Sequence, residues 1–93
     1  MTYITVVDDS PAGTVENLDK LMTDILPEPD GLAARYAGMV DGKLCIVAIW
    51  DSPDHARSFM TQRLGPGLAQ LLGSPPPAPV RAWGMQVEHS YVR

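Results

Sequence analysis

The segment Val40-Asp41-Gly42-Lys43 sets an Asp-Gly pair between two runs of apolar and β-branched residues. Such a pair is the strongest short-range hairpin signal, because a type I′ turn needs positive φ at both central residues. Downstream of the turn, Leu44, Ile46, Ala48 and Trp50 point one way along the strand, and Cys45, Val47 and Ile49 point the other. A strand that is apolar on both faces must be covered on both faces. With 93 residues and room for two helices, this chain covers one of them. The other face calls for a partner, and a second copy of the chain is the simplest one. The expectation is a homodimer built sheet against sheet.

Composition agrees. A chain of this length makes one domain, residues 1–93, and buries only about 60–65% of the surface it exposes when unfolded, so it gains much from oligomerisation. The net charge of −4 and the scattered cations argue against a nucleic-acid partner, since no basic run tracks a phosphate backbone. No stretch approaches the roughly 20 apolar residues of a membrane span. The opening residues lack the basic start and small-residue cleavage site of a signal peptide, so a cytoplasmic location is the expectation. The single cysteine, Cys45, excludes an internal disulfide and reads as a small strand hydrophobe.

Residues 2–8 are β-branched and aromatic, which suits a first strand. Thr14 caps the segment that follows, where Val15, Leu18, Leu21, Met22, Ile25 and Leu26 recur at helical spacing until Pro27 and Pro29 end it. The hairpin strands occupy about 32–40 and 43–51. Ser52-Pro53 starts a second helix with a capping hydroxyl and a ring suited to the first helical position. Ala56, Phe59, Met60 and Leu64 form its apolar stripe. Gly65-Pro66-Gly67 is expected to interrupt it, with Leu68, Leu71 and Leu72 resuming the pattern. Residues 73–79 read as a proline-stiffened linker, and 80–92 as a long last strand.

The order β-α-β-β-α-β is the split βαβ, or ferredoxin-like, α+β arrangement: a four-stranded antiparallel sheet with both helices on one face. Each user of that fold is tested at its own site. An RNA-recognition module stacks bases on aromatics within the third strand, and Lys43–Ile49 has none. A metallochaperone needs a Cys-x-x-Cys pair. An acyl-phosphate hydrolase needs an Arg and an anion cradle where this chain carries Asp8-Asp9-Ser10. A ligand-sensing regulatory module stays open.

Ile49-Trp50-Asp51-Ser52-Pro53-Asp54-His55-Ala56-Arg57-Ser58-Phe59 resembles the junction of third strand and second helix in the antibiotic-biosynthesis-monooxygenase-like superfamily. The Leu32–Met39 strand, the Asp-Gly hairpin and the long closing strand are similar too. The resemblance implies a dimeric α+β barrel, with two sheets facing each other, helices outside, and a ligand cavity in each subunit. It also implies a choice among cofactor-independent oxygenases of phenols or quinols, haem degraders, isomerases and proteins without known activity. The chain departs from the pattern at telling positions. Where many members carry a His on the second helix this chain has Phe59, and where haem degraders carry their iron-ligating His it has Ala69. Its first strand has no Asn. These departures disfavour haem degradation, and no haem, flavin or metal cofactor is expected.

The candidate site follows from these residues. Phe59 is the inward residue of the second helix, with Met60 beside it, Trp50 beneath and His55 at the rim. Together they would bound a cavity of roughly 300 Å³ or more for a small aromatic or hydrophobic molecule. His55 lies one helical turn before Phe59, and is either a general base for a phenolic substrate or an exposed first-turn histidine. Trp50 and Trp83 are ring platforms or packing anchors. Tyr36 is a further ligand contact, and because Arg35 points the opposite way only one of the two reaches a given cavity. Asp51, Asp54 and His55 are explained by capping and first-turn acids without a metal. His89 shares a face with Trp83 and Tyr91 and reads as structural.

Overall fold

The computed structural model describes residues 2–27, 29–75 and 80–93. Strand β1 (Tyr3–Val7) leads to helix α1 (Val15–Lys20), which runs on as a π-helical turn, Leu21–Ile25. Strands β2 (Leu32–Val40) and β3 (Lys43–Trp50) form the hairpin. Helix α2 (Pro53–Ser58) passes through a second π-helical turn, Phe59–Arg63, into α3 (Leu64–Leu72), and β4 (Ala82–Gln86) closes the chain. The sheet is antiparallel throughout, in the order β2-β3-β1-β4. This is the α+β, ferredoxin-like arrangement.

Local chemistry accounts for the element ends. Asp41 and Gly42 take φ of 50° and 77°, the two positive values a type I′ turn requires. Thr14 Oγ1 accepts from the Asn17 backbone N–H at 3.1 Å, and Ser52 Oγ accepts from that of His55 at 3.3 Å. Pro53 follows the second cap at the first helical position, where it needs no donor.

One sheet face packs on the helices. Val7, Leu44, Ile46, Ala48 and Trp50 meet Leu18, Leu21, Leu26, Ala56, Phe59, Leu64 and Leu68 in a single buried cluster. Among the described residues nothing covers the opposite face. The register puts Ile4, Val6, Cys45, Val47 and Ile49 there, with Ala34 and Tyr36 from β2 and Trp83 and Met85 from β4. A bulge at Ala33 shifts β2 by one residue. It turns Leu32 toward the helices together with Arg35, while Ala34 and Tyr36 face away.

Three expectations are corrected. The second helix does not break at Gly65-Pro66-Gly67. The π-helical turn Phe59–Arg63 leads directly into α3, which begins at Leu64, two residues before Pro66, so Pro66 is the third residue of that segment and not its first. The last strand is shorter than the 80–92 span expected, because its partner β1 offers five residues, from Tyr3 opposite Gln86 to Val7 opposite Ala82. A final bond from the Val87 N–H to the Thr2 carbonyl, 3.0 Å, ends the ladder. Val15, placed in the apolar stripe of the first helix, is 47% exposed. Of the expected linker, residues 76–79 lie outside the described residues.

Candidate functional site

A cavity of about 40 Å³ lies between the sheet and the helices. Its floor is Thr5, Ile46, Ala48 and Trp50, and its roof includes Leu21, Met22, Phe59 and Met60. Trp50 is 2% exposed, and its indole Nε1–H donates to Thr5 Oγ1 at 3.0 Å. That bond satisfies a donor that could not otherwise be buried without cost. The Phe59 ring leans on the indole with centroids 5.4 Å apart and planes tilted by 41°. Both π-helical turns pass over the cavity. Leu21 and Met22 come from the first, Phe59 and Met60 from the second. Such turns widen a helix locally and are frequent at functional sites.

The cavity is much smaller than the 300 Å³ expected. Met22, Met60, Phe59 and Leu68 are among the side chains that close around it. The lining is almost wholly apolar, and Arg35 is the one charged residue in it among the described residues. Arg35 is half-buried, and its side chain makes no hydrogen bond or ion pair among the described residues. It also lines an open groove of about 600 Å³ along the free edge of β2, in company with Met22, Pro29 and Leu32, which border the cavity as well. Arg35 thus borders both the apolar cavity and the open groove, and long cationic side chains in such places bury their apolar stems and keep the charged head in water.

The residues singled out from sequence separate into three groups. Trp50, Phe59 and Met60 line the cavity together. Tyr36 and Trp83 do not: they pair with Val47 and Val6, so they belong to the uncovered sheet face, 64% and 57% exposed. His55 lies outside. Its imidazole Nδ1 sits 2.8 Å from Ser52 Oγ, and its ring packs against Gly31, where a side chain would collide with it. It lines a second open groove, about 490 Å³, with Asp30, Asp54, Ser58 and Arg63, and this groove shares only Pro29 and Phe59 with the cavity. Of the pair Tyr36 and Arg35, it is Arg35 and not the expected Tyr36 that lines the cavity. Its signal was the alternation with Tyr36, and only the strand register decides which of the two faces inward.

Among the described residues no group of three or more His, Cys, Asp and Glu side chains could hold a metal ion. No helix among them is long and apolar enough to cross a membrane.

No protein-family model and no curated protein sequence matches the chain. Solved structures match over nearly its whole length. Rv0793 from Mycobacterium tuberculosis superposes with a TM-score of 0.67 at 14% identity, covering 99% of this chain and 100% of that one. A monooxygenase, ActVA-Orf6 from Streptomyces coelicolor, solved with the ligand nanaomycin D, gives 0.61 at 21% identity over 98% and 91%. The haem degrader MhuD from Mycobacterium tuberculosis, with two haems bound in its active site, gives 0.54 at 16% identity over 99% and 100%. With the βαββαβ order, the sheet order β2-β3-β1-β4 and a cavity beneath the helices, the chain has the fold of the antibiotic-biosynthesis-monooxygenase-like proteins.

Proposed function

We propose that this protein is a homodimer in which each subunit takes a flat aromatic molecule into the cavity under Phe59, and that a phenolic or quinol ligand is oxidised there by O₂ without a cofactor. The observation that carries the reading is the cavity itself: apolar, walled by the Trp50 and Phe59 rings, and roofed by two methionines on π-helical turns. Methionine is unbranched and adaptable, so Met22 and Met60 can swing aside for a ring that replaces their contacts. Neighbours in fold include a monooxygenase holding nanaomycin D and a haem degrader, so this architecture accommodates flat ligands elsewhere. A phenol oxidised to a quinone supplies all four electrons that O₂ needs. One oxygen atom stays on the ring and the other leaves as water. What the protein adds is a water-poor site in which the phenolate is more reactive than in solution.

The uncovered sheet face supports the dimer. Ile4, Val6, Val47, Ile49, Tyr36, Trp83 and Met85 make it apolar across all four strands, and Tyr36, Trp83 and Met85 on it are exposed; contiguous apolar patches of this kind mark interaction surfaces.

A second reading has its own observation. Among the described residues the cavity lining contains no imidazole, carboxylate or thiol, and His55 is engaged with Ser52 outside. That favours a non-catalytic binding module. Oxygen uptake with a panel of phenols and quinols, run beside calorimetric binding of the same compounds, separates the two. Uptake with a matching product supports the oxygenase, binding alone supports the module, and the absence of both refutes the cavity reading.

A further inference from the structure

The open groove beside β2 and the cavity share four residues, Met22, Pro29, Leu32 and Arg35. β2 is an edge strand, and among the described residues no strand lies beyond it. The bulge at Ala33 aims Leu32 and Arg35 inward at this place. Arg35 is thus a cation at the boundary between an apolar cavity and water, on a chain whose net charge is −4, and it has no ionic partner among the described residues. Asp30 lines the same groove but forms no ion pair with it. A guanidinium with no carboxylate partner among the described residues offers its planar fork to an anionic group, and a guanidinium binds a carboxylate or phenolate through paired N–H bonds.

We infer that the ligand enters past the β2 edge and that Arg35 selects it by charge: an aromatic with an anionic group at one end, its ring under Phe59 and its anion on the guanidinium at the mouth. This rests on the cavity reading above and goes beyond it, naming the ligand class and the residue that reads it. Phenolates and aromatic carboxylates share the required chemistry.

The test is calorimetric titration of the wild-type protein with 2-naphthoate and with its neutral counterpart, 2-naphthylmethanol. Quenching of Trp50 emission in a W83F background reports whether the ring reaches the cavity. Naphthoate is expected to bind about 10- to 100-fold more tightly than the alcohol, the range for charge-assisted hydrogen bonds. R35M is expected to abolish that preference by weakening naphthoate while leaving the alcohol unchanged. The unchanged alcohol also shows that the variant is folded. R35K is expected to keep part of the preference, and R35Q, which stays polar at the strand edge, to lose it as R35M does. With 4-nitrophenol, binding is expected to favour the yellow phenolate form in the wild type and not in R35M, which extends the assignment to phenols. Equal binding of naphthoate and alcohol, both quenching Trp50, would overturn the role of Arg35 and leave the cavity reading standing. A preference that survives in R35M would do the same. Failure of both probes to bind would overturn both.

Discussion

Replacing Phe59 with alanine tests whether this ring is the wall of a cavity or one more core residue. Phe59 is 7% exposed and rests on Trp50, so its truncation loses both the transfer energy of the ring and an aromatic contact. Phe→Ala changes in cores cost about 3–5 kcal/mol, and the cost rises with the volume left empty because the surroundings collapse only in part. Here the hole would merge with an existing void of about 40 Å³, which hinders collapse and puts the expected loss in the upper half of the range, about 4–5 kcal/mol. A domain of 93 residues has a total stability of roughly 5–14 kcal/mol, so the variant would stand close to its folding limit. Urea unfolding followed by circular dichroism, at one fixed protein concentration because dimerisation couples to stability, measures the difference. Leu72→Ala is the control: that side chain is 40% exposed and its loss should cost under about 1 kcal/mol. Added indole should then raise the midpoint of the Phe59 variant by filling the enlarged cavity, and the wild type much less. A loss below about 1.5 kcal/mol, or a variant indifferent to indole, would refute the assignment of Phe59 as the cavity wall.

Three other outcomes are expected. Thr5→Val keeps the volume but strips the acceptor from the buried Trp50 Nε1–H, so it should cost about 1–3 kcal/mol, seen as a fall in Tm of about 4–8 °C per kcal/mol; a neutral result would mean that water reaches the indole. In sedimentation the wild type should run at twice its 10.1 kDa chain mass, and Val47→Asp, at the centre of the uncovered sheet face, should run at the chain mass with its circular dichroism intact; a wild-type monomer at micromolar concentration would end the dimer proposal. His55→Ala should change any oxygen uptake by less than about twofold, because its imidazole is tied to Ser52 outside the cavity; a loss of about 10²–10⁴-fold would restore it as a general base.

What the sequence by itself determined is local and periodic. The Asp41-Gly42 turn, the caps at Thr14 and Ser52, the proline at the start of α2 and the two-faced alternation of β3 are set by chemistry within a few residues. From those the βαββαβ order and the inward set Trp50, Phe59 and Met60 followed, since a helix stripe and a strand face can bury themselves only against each other. Tertiary structure decided the rest. The bulge at Ala33 exists only in the pairing of β2 with β3, and it chose Arg35 over Tyr36 for the cavity. The length of β4 was set by the five residues of β1 that it pairs with, not by its own alternation. His55 and Phe59 lie one turn apart on a helix, yet a π-helical turn begins at Phe59, and His55 is held outward by Ser52 and Gly31. The size of the cavity depends on how far Met22 and Met60 fold into it, and side chains with three free torsions take their positions from their neighbours rather than from their place in the chain.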